Sequence, residues 1–258
     1  MDFDLTHTNG IKLPHLSAST ISSFIGSRFG FYQSKVMNKP FEGNQFTSRG
    51  KAVEGAINHW IETGDDDDLI KVSLDMYDEE LSKSGISAIA GQEVRDTIPG
   101  LVNLAHKVYA EEFSKNKAVT QHKITGRLEG VKRDIIGYLD FFQPAIAVRD
   151  SKVVSKTPSK LSQAYVIQGA FYRNATGLPV VFDFFIPNKT PVHKAIMLSD
   201  DEYLFGISYM TAAAKVIEEI EECSDASRMM ELMSFPDLDS MYSAKDKEVA
   251  AKAWGIKL

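Results

Sequence analysis

From Ala118 onward the chain changes its hydrophobic period, and that change restricts the available folds more than any other feature. Upstream, apolar residues recur three and four positions apart, as on one face of a helix. Ile21, Phe24, Ile25 and Phe29 do so in TISSFIGSRFGFY, after Ser17 and Ser19 as capping candidates. Val53, Ile57, Trp60 and Ile61 do so in TSRGKAVEGAINHWIE. Residues 67–117 stay helical, with Leu74, Tyr77 and Leu81 on one stripe and Leu101, Leu104, Ala105, Val108 and Tyr109 on another. Gly85, Gly91 and Pro99 are expected to break that run. Beyond it, AVTQHKITGRLEG, RDIIGYLDFF and AIAVRDSKVVSK are β-branched or aromatic and separated by short turns, as strands are.

A helix is predicted over 160–177, stopped by Gly177-Leu178-Pro179. The strands VVFDFFI and HKAIMLS follow, then a long helix opened by Ser199 with acids at its positive end. The tail to Leu258 is helical by propensity. This order predicts an α/β fold with a central mixed β-sheet flanked by helices. It is read as a single domain, 1–258, with a helical insertion over 65–117.

Composition narrows the function classes. The single Cys223 excludes an internal disulfide and any cysteine-based zinc or iron–sulfur site. No run approaches the ~20 apolar residues of a membrane helix. The start, MDFDLTHTNG, is unlike a secretory signal, so a cytoplasmic protein is expected. A net charge of −6 argues against polyanion binding by the whole surface but leaves room for a local basic groove. The DDDD run after Gly64 reads as a solvated turn or helix start. No glycine-rich nucleotide loop is present, so no nucleotide cofactor is expected. The six histidines show no ligand spacing.

The chemistry concentrates in GYLDFFQPAIAVRDSK, residues 137–152. Asp150 and Lys152 lie two apart on one strand and therefore share a face. With Gln143-Pro144-Ala145 as a three-residue hairpin loop, Phe142 pairs with Ile146, and Asp140 falls opposite Val148 and diagonal to Asp150. Two such carboxylates repel, and their pKa values rise unless a cation lies between them. All-oxygen ligation selects Mg²⁺ or Mn²⁺. Lys152 would then stabilise negative charge on a phosphate or orient a water. The plainer alternative is a buried Asp150–Lys152 ion pair with Asp140 as a turn residue.

Five motifs in order resemble the RecB-like and lambda-exonuclease-like branch of the PD-(D/E)XK nuclease superfamily. SASTISSF matches its S-x-S-x-(L/I)-x-x-(F/Y) helix, GKAVE its G-x-x-x-H helix, and GYLD its G-x-x-D strand. DSK matches (D/E)-x-K, and QGAFY matches Q-x-x-x-Y. The resemblance implies a restriction-endonuclease-like core in which Asp140, Asp150 and Glu54 ligate the metal, with the Val153 carbonyl as a further ligand. Lys152 would be the catalytic lysine, with Gln168 and Tyr172 orienting it or contacting the scissile strand. Glu54 replaces the family's frequent histidine. Ser27 stands where iron–sulfur members carry a cysteine, so no cluster is expected. The threonine that usually follows the lysine is displaced to Thr157.

Arg28 is a candidate for a terminal phosphate, and Arg49, Lys51, Lys156 and Lys160 for the walls of a DNA groove. The implied function is a metal-dependent exonuclease acting on duplex DNA ends in recombination or repair, as phage enzymes of this type do. The 65–117 insertion would shape the substrate entrance. A single-strand annealing protein and a homo-oligomer are partners the resemblance suggests. Two alternatives stand beside it: an endonuclease on branched or single-stranded DNA, and an inactive nuclease fold used as a DNA-binding or interaction module.

Overall fold

Ser17 caps the first helix as expected, its hydroxyl accepting from the Thr20 amide at 3.1 Å. The computed structural model describes residues 13–35, 43–114 and 116–223. In chain order these form β1 (Leu16–Ser17), α1 (Ala18–Gly26), α2 (Arg28–Lys35), α3 (Gln45–Thr63), α4 (Leu69–Lys83), α5 (Ala88–Arg95) and α6 (Ile98–Glu112). Then come β2 (Val119–Gly126), β3 (Ile135–Gln143), β4 (Ala147–Val153), α7 (Gln163–Thr176), β5 (Val180–Ile186), β6 (Val192–Met197) and α8 (Asp200–Glu222). The chain divides into two units, one of Met1–Phe41, Arg127–Ile135 and Ser208–Leu258, the other of Glu42–Gly126 and Ile136–Ile207.

In the smaller unit, the first predicted helix is two. Ser27 is extended, at φ −161° and ψ 104°, and its hydroxyl accepts from the Gly30 amide at 2.8 Å, which starts α2 afresh. Ile21 and Phe24 are buried as the stripe requires. The Phe29 side chain and the predicted helical tail lie outside the described residues. Glu218 on α8 accepts from the Lys132 and Arg133 amides at 3.0 and 2.9 Å and so fixes the segment that precedes β3.

The larger unit begins with α3, opened by a capping box between Asn44 and Thr47 and closed by left-handed Gly64 at φ 76°. The four aspartates that follow are exposed and lead into α4. Gly85 ends α4's turn in a left-handed conformation, and Pro99 sits in the first turn of α6, where a missing N–H costs nothing. Gly91 does not break the chain. It lies inside α5, where an added Cβ would meet Leu81 at 2.5 Å and the Tyr77 hydroxyl at 2.9 Å. Its carbonyl accepts from that hydroxyl at 2.9 Å. The residue is small because two helices touch there. Val53, Ile57, Tyr77, Leu81, Leu101, Val102 and Tyr109 close this helical core, and each fully buried side chain is worth about 1.5–3 kcal/mol.

The larger unit's sheet is mixed, in the order β2-β3-β4-β5-β6. β3 and β4 are antiparallel, β4 and β5 parallel, and β5 and β6 antiparallel. On one face, Phe141 and Phe185 meet Tyr109 of α6 at 4.6 and 5.7 Å between ring centres, with Phe113 beside them. On the other face, Phe182 and Phe184 lie under Tyr165 of α7. Gly169 lets α7 come this close, since a Cβ there would meet Phe182 at 2.8 Å. Helix α8 opens with a reciprocal cap between Ser199 and Glu202.

The hairpin register differs from the expected one. Gln143 pairs with Ala147 and Phe142 with Val148, so the loop is Pro144-Ala145-Ile146. Two features go with the shift. The Gln143 side-chain amide donates to the carbonyls of Glu112 and Asn116 at 3.3 and 3.0 Å, which holds Gln143 in the strand. Ala145, at the centre of the observed loop, takes the left-handed conformation, φ 63°.

Candidate active site

The shifted register carries Asp140 one step beyond the Phe141–Arg149 pair, level with Asp150 rather than diagonal to it. Asp140 Oδ2 accepts from the Ser151 amide at 2.9 Å. Lys152 lies two residues past Asp150 on the same face, and its Nζ forms an ion pair with Asp150 Oδ2. Helix α3 packs against β4 and β2 and brings Glu54 to the group. Glu54 Oε1 accepts from the Gln121 amide at 2.6 Å.

Burial and mutual repulsion leave their mark on all three acids. Burial first, then Asp150 and Glu54, push the Asp140 carboxyl well above the ordinary range. Burial raises Asp150 against the pull of Lys152. Burial also raises Glu54, with Lys152 opposing and Asp150 adding to the rise. Burial alone would lower the Lys152 ammonium, but Asp150 and Asp140 facing it carry it above its usual value.

One further sheet carboxylate shows the contrast. Asp183 is also fully buried, but on the opposite face, where Arg149 grips it at 2.8 and 3.0 Å and His193 Nε2 meets it at 2.8 Å. Arg149 also reaches Glu112 at 2.9 Å. Asp183 thus has its own cationic partners, although its charge still adds to the rise at Asp150 through the sheet. Among the described residues, Glu54, Asp140 and Asp150 share the single cation Lys152. Asp150 has no exposed surface, and apart from the Lys152 ion pair its oxygens find no partner among the described residues.

Among the described residues, no three His, Cys, Asp or Glu side chains close around one point. The donor set nevertheless fits a hard divalent cation. All its atoms are oxygens, its acids outnumber its cations, and Asp150 Oδ1 is a buried polar atom of the kind that normally finds a partner.

The other anticipated residues separate into those near this group and those away from it. Gln168 Nε2 donates to the Tyr172 hydroxyl at 2.7 Å, and that hydroxyl donates to the Tyr138 carbonyl at 2.8 Å. The pair therefore ties α7 to β3 two residues before Asp140. Burial, followed by Asp150 and Asp140, raises the Tyr172 phenol well above its usual value. Val153 ends β4, paired with Phe185, and packs on the helical core.

Arg28 opens α2 in the smaller unit and is exposed. Lys51 is exposed and paired with Glu80 at 2.6 Å. Lys156 and Lys160 are exposed between β4 and α7, with no ion pair among the described residues. Arg49 is a correction. It is 4% exposed, bonded to Thr97 Oγ1 at 3.3 Å and lying 5.7 Å from the Phe46 ring, so it does not line a surface groove. Burial lowers its pKa.

Two neighbours of the group went unread in the sequence. Tyr165 places its ring 5.8 Å from Lys152 Nζ, and its spacing from Gln168 and Tyr172, three and seven residues, was the available signal. Gln121 carries no such signal in its local sequence.

No known protein family and no curated protein matches the chain. A solved structure does. A protein of Eubacterium rectale named "Putative exonuclease" aligns over 90% of this chain and 92% of its own, with a TM-score of 0.56 and 17% identity. The two share an α/β fold. A second structure, SSO0001, aligns over 71% of this chain and 90% of its own at 14% identity and a TM-score of 0.35, too low to bear on the fold.

Proposed function

We propose that the protein is a divalent-metal-dependent DNA exonuclease of the PD-(D/E)XK type, cutting phosphodiester bonds at duplex ends for recombination or repair. The observation that carries this reading is a carboxylate group short of positive charge: Asp150, fully buried and paired with Lys152, faces Asp140 and Glu54, with Lys152 as the only cation they share among the described residues. The likeness to the Eubacterium rectale protein, through its name, points the same way.

Glu54, Asp140 and Asp150 would hold Mg²⁺ or Mn²⁺, with the Val153 carbonyl as a further donor. When bound, such an ion polarises a phosphoryl oxygen and lowers the pKa of a water. Lys152, held against Asp150, puts a positive charge where negative charge gathers on the scissile phosphate. The Gln168–Tyr172–Tyr138 chain keeps β3, and with it Asp140, in place. Lys156 and Lys160 supply exposed charge for the DNA backbone beside β4.

Linear duplexes labelled separately at each end, with and without a terminal phosphate, test this alongside closed circles. Label should leave the linear DNA progressively in Mg²⁺ and stay in EDTA, and Asp150→Asn and Lys152→Ala should both be inactive. Full activity in either variant overturns the reading, and equal cutting of circles makes the enzyme an endonuclease instead.

One observation favours a second reading, an inactive nuclease fold that binds DNA or a partner: no three acids close around a point among the described residues. Such a module would gain no thermal stability from Mg²⁺ or Mn²⁺ through these carboxylates.

A further inference from the structure

Gln121 lies inside β2 with φ 47°, the left-handed region that residues other than glycine seldom occupy, and least of all in a strand. Consecutive strand side chains normally point to opposite faces. Here they do not diverge in that way. Thr120 Oγ1 donates to Glu62 at 2.5 Å, and Gln121 Nε2 donates to Glu54 at 2.6 Å, so neighbouring residues reach two carboxylates of the same helix, α3. Glu54 and Glu62 stand eight residues apart, about 12 Å along the axis. Thr120 would fasten β2 to α3 by itself. The left-handed turn at the next residue adds one thing, an amide aimed at Glu54.

We propose that Gln121 is a positioning residue for the ion, its backbone conformation retained so that its amide fixes the Glu54 carboxylate. The inference rests on reading Glu54 as an ion ligand. Gln121 occupies Oε1 and, with the Asn58 side chain one turn along α3 as a second hydrogen-bond partner of the carboxylate, sets its plane. Outer partners of this kind restrict a ligand to one orientation before the ion arrives, and their loss typically weakens metal binding by roughly ten- to a hundredfold.

The test uses the whole chain, Gln121→Gly and Gln121→Asn, and Mn²⁺ binding followed by the electron paramagnetic resonance of the free ion. Glycine accepts the left-handed conformation without strain but has no amide. Asparagine tolerates the conformation but is one methylene too short to reach. Both variants should bind Mn²⁺ at least tenfold more weakly than the wild type. The metal-free melting temperature of Gln121→Gly should equal or exceed that of the wild type. A residue that only braced the strand would give the opposite pattern, a lower melting temperature with unchanged Mn²⁺ affinity. Wild-type affinity in either variant overturns the role of Gln121 and leaves the ion site standing. No Mn²⁺ binding by the wild type removes both.

Discussion

Replacing Asp140 with Asn isolates the charge imbalance from everything else at the site. The amide keeps an oxygen for the Ser151 N–H, now at 2.9 Å, and nearly the same shape, so only the charge is lost. Directly opposed residues on neighbouring strands sit about 5 Å apart. At an effective dielectric of about 20, two like unit charges at that distance repel by about 3 kcal/mol. Asp140 faces two carboxylates, Asp150 and Glu54, and one ammonium, Lys152. The ammonium offsets roughly one of the two, which leaves about one repulsive pair or less, or roughly 1–3 kcal/mol of destabilisation without metal.

Asp140→Asn should therefore be more stable than the wild type in EDTA at pH 8. At ~2–4 °C per kcal/mol for a chain of this size, its melting temperature should rise by roughly 2–12 °C. In millimolar Mg²⁺ the order should reverse or close up, because the wild type gains binding free energy that the variant cannot. Scanning calorimetry reads both conditions. A variant that melts lower in EDTA, or gains as much from Mg²⁺ as the wild type, would refute the reasoning.

Lys156→Ala and Lys160→Ala should each weaken DNA binding regardless of sequence and reduce the slope of log affinity against log salt by about 1, as fluorescence anisotropy across a salt series would show. Arg49→Met should leave DNA affinity unchanged and be neutral or stabilising by about 1–2 kcal/mol in urea, since it removes a buried guanidinium that has no carboxylate partner among the described residues. Arg95 grips Asp78 at 2.8 Å through two nitrogens and holds that carboxyl below its ordinary range. A depressed carboxylate stabilises the fold above its unfolded pKa, and the contribution disappears as pH falls through the folded value. Asp78→Asn should therefore cost under ~1 kcal/mol at pH 7, the pair being half exposed, and nothing once pH drops well below the carboxylate range.

The order of elements was legible because each announces itself locally: Ser17 as a cap, Gly64 and Gly177 as stops, and the period change at Ala118. The acidic group was legible because strand alternation alone puts Asp150 and Lys152 on one face. The hairpin register was not, because it is set by a bond from Gln143 to carbonyls 27 and 31 residues earlier. Gly91 looked like a breaker because helix contact and helix ending both call for glycine, and nothing local separates them. Arg49 could have been placed correctly, since it stands four residues before Val53 on the stripe already read as buried. Gln121 could not, because its conformation answers to a helix some 67 residues upstream.

Anomalous diffraction from crystals soaked in Mn²⁺ would read the convergence of the three acids with no assay in between. A single peak is expected, with oxygens of Glu54, Asp140 and Asp150 at roughly 2.0–2.3 Å. A peak bound elsewhere, or none beside Asp150 at saturating Mn²⁺, would contradict it.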